Sequence, residues 1–422
     1  MAQSPVVVEI ISSETVKPSS PTPQHLRTHK LSYLDQLSTS MYFSLIFFYN
    51  PNHNQTIPNE DDHLHRTSRR LSQSLSHALT SFFPFAGRLL KDSSTVDCND
   101  AGAELSVARV TGLCLDEAAR DPHDLAKYLP ACPTDSSSSP LLLVQLNFFS
   151  CGGLAIAVRF SHIADCASVT ALLQTWAAGG RPAVDFDLSG YFPAREELRS
   201  AEVPRPLTDE GHQTKLFEFD GAKLSALRRR AAGGHTRVEL VSAFIWESFI
   251  KACNGGKKVA ATHTLNLRPR KKALENVFGN CLMMSFTYCE KGQEFLELAG
   301  KLREAIRKVD EGYITGSEKD GNMYLGDVGG FLTKYITREI PVFMFTSWCR
   351  FPVYEVDFGW GSPVRVCTAD FPLKNVAVLI DMNGLEDGRG KGIEAWVNMT
   401  EDGIQILEKN FELISDDFEL SS

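Results

Sequence analysis

An α/β fold with mixed sheets in two domains is the class this sequence predicts, and three observations lead there. At 422 residues the chain exceeds one ordinary domain. Short β-prone apolar runs alternate with segments of helical period in both halves. A proline-rich stretch of mixed charge, 186–212, breaks that alternation near mid-chain. The expected division is an N-terminal domain over 1–185, a crossover over 186–212 and a C-terminal domain over 213–422.

The elements follow in order. "PVVVEIISSETVKP" reads as a strand and "PSSPTP" as a loop, set by its prolines and serines. "SMYFSLIFFY" is a second β-prone run. Leu64, Leu71, Leu75, Leu79 and Phe82 recur at helical spacing over 63–83, and Pro84 stops the pattern. "LLLVQLNFF" and "LAIAVRF" form a hairpin over 141–160, with Gly152-Gly153 supplying the positive φ of a tight turn. Ile156, Val158 and Phe160 share one strand face, and His162 continues that parity as the strand ends. Beyond Asp165, Val169, Leu172, Leu173 and Trp176 mark a helix that Gly179-Gly180 closes. After the crossover, "LFEFD" restarts a strand and 220–232 forms a basic helix. Thr236-x-x-Glu239 is a capping box ahead of a third helix. Strands are expected near 262–267, 282–289, 342–347 and 375–382, and helices near 293–311 and 400–411.

Composition narrows the function classes. A formal charge of −9 argues against nucleic acid or an anionic membrane as a partner. The ten cysteines show no CxxC pair or metal-finger spacing, which fits reduced thiols in the cytosol. No basic start precedes a long apolar core, and no apolar run approaches the roughly 18 residues that span a bilayer. A cytoplasmic, monomeric protein without a metal is the expectation.

Motifs of the serine-hydrolase elbow, the P-loop, the zinc-protease helix and the dinucleotide fingerprint are absent. "GLEDGRGKG", 384–392, sits between two β runs and reads as a hairpin loop. Two stretches remain. "SHIAD" places His162 at a strand end and Asp165 before a helix, where aspartate is also a preferred N-cap. Asp357-Phe358-Gly359-Trp360-Gly361 joins an acid, two aromatics and two glycines, and on composition alone is a tight turn with packed rings.

These stretches, with "VEIISSETVKPSSPTP", "LSYLDQ", "FFPFAGRL", "VDCNDAGAE", "TRVELVSAFIW", "NLRPR", "FGN", "FTSWCRFPVYEVDFGWG" and "GIEAWV" in the same order, resemble the plant BAHD acyltransferases. The N-terminal half is most similar in style to the branch holding vinorine synthase. The resemblance implies a two-domain fold like chloramphenicol acetyltransferase, with mixed β-sheets flanked by helices. It implies acyl transfer from an acyl-CoA co-substrate, acetyl-CoA first, to a hydroxyl of a small-molecule acceptor such as an alkaloid, with no permanently bound cofactor. By the same resemblance His162 is the general base in a channel between the domains, and Asp165 orients its loop by pairing with Arg268. Trp348 is an oxyanion candidate, and 357–361 is structural. Thr236 and Arg237, at a helix start, are candidates for the CoA phosphates, against the plainer reading of a capped core helix. Lys257-Lys258 reads as a solvated loop.

One departure stands out. The family spaces its histidine and aspartate by three residues, and only Ile163 and Ala164 stand here. Counting strictly, Cys166 takes the acid's place; matching neighbours instead imply a residue lost after His162. Three outcomes are open: a tightened loop that still transfers acyl groups, altered chemistry such as elimination or cyclisation without an acyl donor, or a non-catalytic binding relative.

Overall fold

The computed structural model describes residues 5–419 apart from 39–40, 51–59, 92–93, 122–123, 134–138, 181–182, 199–210, 254–257, 319–320, 338, 370–372 and 384–391. The chain forms two compact units.

The first unit comprises residues 1–203, 276–281 and 351–371. Its strands are β1 (Val7–Val16), β2 (Thr28–Lys30), β3 (Tyr42–Tyr49), β4 (Arg88–Leu89), β5 (Thr95–Asp97), β6 (Ala103–Thr111), β7 (Leu142–Phe149) and β8 (Leu154–Ser161). Its helices are α1 (Tyr33–Gln36), α2 (Glu60–Ser81), α3 (Leu115–Arg120), α4 (Cys166–Ala178) and α5 (Leu188–Tyr191). A six-stranded sheet runs β1-β6-β7-β8-β3 and ends on a strand from far along the chain, Arg365–Cys367. β7 and β8 are buried at every position, so both faces of the hairpin are covered. Its two glycines do different jobs. Gly152 has φ +87, as a tight turn needs, whereas Gly153 is required by space: a Cβ there would lie 2.6 Å from Leu115 Cδ1.

The second unit holds 204–275, 282–350 and 372–422. Its strands are β9 (His212–Phe219), β10 (Lys258–Asn266), β11 (Leu282–Glu290) and β12 (Val342–Ser347), then β14 (Val376–Asp381) and β15 (Ile393–Thr400), with β13 being the Arg365–Cys367 strand of the first unit. The sheet order is β11-β10-β12-β14-β15-β9, with parallel pairing only at β10–β12 and β12–β14. α6 (Gly221–Arg230) and α7 (Arg237–Ala252) pack on this sheet with α8 (Phe295–Lys308) and the helix Glu401–Glu419. Phe244, Leu298, Phe343, Leu379 and Leu407 meet in that core. Thr236 closes the expected capping box with Glu239 at the start of α7.

Two boundaries differ from the sequence expectation. Residues 351–371, which include 357–361, belong with the N-terminal unit rather than with 213–422, because β13 extends the open edge of β3 with Val366 opposite Phe47. The crossover also begins later than 186. Asp185 N–H donates to Asn276 O at 2.9 Å and Phe278 N–H to Asp185 O at 2.8 Å, so α5 stays in the first unit. Residues 199–210 of the crossover, Lys257, and most of the glycine-rich 384–392 turn lie outside the described residues; Lys258 opens β10.

Candidate active site

β8 delivers His162. Ser161 N–H still pairs with Leu141 O at 2.9 Å, and His162 N–H donates to Met41 O at 2.8 Å, extending the β3 side of the ladder by one residue. The imidazole lies against Phe43, ring centroids 4.6 Å apart. The residue keeps some exposure, but Nδ1 is enclosed with no hydrogen-bond partner among the described residues. Burial lowers the imidazole from 6.5 to about 4, the charge of Asp165 pulling the other way. The ring is therefore neutral at neutral pH.

Ile163 and Ala164 are fully buried, and the turn ends at Asp165. Its Oδ1 accepts from Ser168 N–H at 2.9 Å and Ser168 Oγ–H at 3.0 Å, capping α4. Asp165, not Cys166, thus occupies the N-cap. Cys166 begins the helix with a buried thiol that burial pushes well above its ordinary value, so it offers no carboxylate-like group.

A third segment closes the turn. Asp165 N–H donates to Gly279 O at 3.3 Å, and Ser168 Oγ lies 3.2 Å from both Gly279 O and Gly279 N. Asn280 Nδ2 donates to His162 O at 2.6 Å, and Asn280 N–H to Asp35 Oδ1 at 2.6 Å. Asp35 in turn accepts from Ser32 N–H at 2.7 Å and Ser32 Oγ–H at 2.6 Å. Burial pushes its carboxyl up to about 6, against the lowering from the Asn280 and Ser32 hydrogen bonds. "LSYLDQ", "SHIAD" and "FGN" are therefore one cluster. The sequence marked all three stretches but gave Asp35, Ser168 and Asn280 no role.

The 357–361 turn also sits in this unit. Asp357 Oδ1 accepts three backbone N–H groups, from Gly359 at 2.7 Å, Trp360 at 3.0 Å and Gly361 at 2.8 Å. Phe358 packs edge-on against Trp176 and Tyr49. The Arg70 guanidinium lies 4.9 Å over Trp360 and donates to Phe358 O at 3.1 Å.

Arg268, Thr236, Arg237 and Trp348 belong to the second unit. Arg268 donates from its backbone N–H and from Nη1 to Asn266 Oδ1, at 3.1 and 3.3 Å. Arg237 is paired to Asp381 at 3.0 Å, and Glu239 accepts Thr236 N–H at 2.8 Å, so the α7 start has internal partners for its charge. Trp348 is buried just past β12, its backbone N–H on Leu379 O at 2.8 Å. Among the described residues no three His, Cys, Asp or Glu side chains form a metal-ligand group. No helix there is long and apolar enough to cross a membrane.

The sequence profile described as Transferase family matches residues 6–414. The chain belongs to this family, the BAHD acyltransferases. Stemmadenine O-acetyltransferase of Catharanthus roseus is 38% identical over 97% of this chain and 99% of its own length. Vinorine synthase of Rauvolfia serpentina is 36% identical over the same shares. The crystal structure of vinorine synthase superposes with a TM-score of 0.80 at 34% identity, covering 95% of this chain and 96% of that one. TRI101 of F. graminearum, complexed with coenzyme A and T-2 mycotoxin, shares the fold at a TM-score of 0.64 and 16% identity, covering 90% and 97%. The chain is a CoA-dependent acyltransferase of the BAHD type, with the expected α/β fold of mixed sheets flanked by helices.

Proposed function

We propose that this BAHD enzyme transfers an acetyl group from acetyl-CoA to a hydroxyl of an alkaloid-type plant metabolite, with His162 as general base. The observation that carries the reading is the neutral imidazole at the end of β8, enclosed at Nδ1, which leaves the Nε2 edge to meet an acceptor. The relatives named above support the acetyl donor and the alkaloid acceptor class.

The chemistry then runs without a covalent enzyme intermediate. Nε2 takes the hydroxyl proton as the acceptor oxygen attacks the thioester carbonyl carbon. The C–S bond breaks, and the CoA thiolate leaves with the proton that the imidazolium returns. Asp165 serves as the cap of α4 and as a counter-charge that favours the transient imidazolium, and its pairing with Arg268 is part of this proposal. Trp348 remains the candidate donor to the oxyanion. For Arg237 the pairing with Asp381 supports an anchoring role inside its own unit more than a phosphate contact. A cytoplasmic monomer is proposed with the same reading.

The test uses purified full-length protein with acetyl-CoA and a panel of hydroxylated alkaloids and alcohols. Thiol release together with a mass gain of one acetyl group on the acceptor, both lost in His162→Ala, is the expected result. Product formed without an acyl donor would replace transfer by elimination or cyclisation, and binding without turnover would replace it by a non-catalytic role.

A further inference from the structure

We propose that Asn280 is a positioning residue for His162, holding the short turn that carries the imidazole, and that Asp35 holds Asn280. The inference rests on His162 being the base, and it concerns how a turn one residue shorter than the family's keeps its aim.

A two-residue turn between a strand end and a helix cap leaves two backbone groups at its mouth, His162 C=O and Asp165 N–H. Asp165 is buried and His162 half-buried, so each group needs a partner. The same dipeptide supplies both: Asn280 Nδ2 meets His162 O at 2.6 Å, and Gly279 O meets Asp165 N–H at 3.3 Å. With Met41 O on the other side of His162 at 2.8 Å, the residue's backbone is clamped at its N–H and at its C=O. The side chain pivots from that backbone, so the clamp sets where the ring can point.

Asn280 is itself fixed. It is wholly buried, and its N–H lies 2.6 Å from Asp35 Oδ1. The other Asp35 oxygen is engaged twice by Ser32, through N–H at 2.7 Å and Oγ–H at 2.6 Å. Gly279 lets this approach happen: at φ +124, a Cβ would fall 2.8 Å from Leu188 Cδ2 and 3.0 Å from Asp35 Oδ1. The amide orientation follows from its partner, since the reversed amide would set oxygen against the His162 carbonyl. In this orientation Asn280 Oδ1 is buried with no partner among the described residues, a cost to folding. The arrangement therefore keeps a donor on His162 O at the expense of an unsatisfied acceptor. That is the mark of a residue placed for its donor.

The test compares full-length wild type with Asn280→Ala and Asn280→Asp. The readouts are kcat, KM and the His162 titration midpoint by NMR, with His162→Gln assigning the signal. In Asn280→Ala, kcat is expected to fall roughly 10- to 100-fold, as for a displacement near 1 Å, with KM within about threefold. The His162 midpoint is expected to move from about 4 toward 6.5 as the released turn admits water. Asn280→Asp should lose more at neutral pH and recover as pH falls, once its carboxyl takes up a proton it can donate to His162 O. A merely structural residue would not show that recovery. Should Asn280→Ala fail to fold, Asp35→Asn carries the same measurements, because it removes the charge that holds Asn280 and keeps the shape. Wild-type kcat together with an unmoved midpoint, in whichever variant folds, would overturn the inference. A shifted midpoint beside a fully active His162→Gln would instead overturn His162 as base and leave the clamp standing.

Discussion

The acid side of the pH–rate profile tests the electrostatics of the site most directly. A general base works only while unprotonated, and kcat/KM follows its protonation in the free enzyme. Burial depresses the His162 imidazole to about 4, so the sign is fixed: the active form persists as pH falls and disappears only through about 4. Between pH 7.5 and 5.5 a base at 4 loses roughly 3% of its neutral form, while an unperturbed imidazole near 6.5 loses about tenfold. Initial rates of thiol release at subsaturating acceptor, measured across that interval, separate the two cases. Asp35, held at about 6, titrates in the same window, and the His162 midpoint read by NMR in the wild-type enzyme separates its contribution. A limb near 6.5 that coincides with the wild-type His162 midpoint would refute the enclosure of the ring. A flat profile that survives in His162→Ala would refute its role as base.

Three further outcomes are expected. Gly279→Ala should cost roughly 2–4 kcal/mol in a denaturant titration, from left-handed backbone strain and overpacking against Leu188 and Asp35; a loss under about 0.5 kcal/mol would mean the segment yields freely. Asp357→Ala deprives three backbone N–H groups of their acceptor at an exposed turn, so a loss of about 1 kcal/mol in thermal unfolding is expected. Asp357→Asn, which keeps an acceptor oxygen, should recover most of it. Inserting one alanine after His162 restores the family spacing but separates the two groups that 279–280 satisfies, so kcat should drop at least about tenfold; a gain in rate would show that the short turn is a defect rather than the fitted form.

Legibility in the sequence followed the range of the interactions. β3, β7, β8, α2, α4 and α7 were readable because periodicity, a capping Asp165 or Thr236 and a turn glycine are all local signals. β6 carries no such signal, because its burial follows from its place between β1 and β7, which is a property of the sheet and not of its own residues. The 351–371 excursion into the first unit is not legible locally, because β13 is only three residues long and its attachment to β3 spans more than 300 positions. The site divides in the same way. His162 and Asp165 could be found from their setting and from the resemblance, and the missing residue between them could be counted. Whether that loss matters is decided by a side chain 118 positions away. An asparagine that donates to a distant carbonyl leaves no periodic or spacing signature, so a motif count registers the deletion and misses its remedy. The short spacing is better understood as a turn whose two open ends are matched by 279–280 than as a truncated copy of a longer motif.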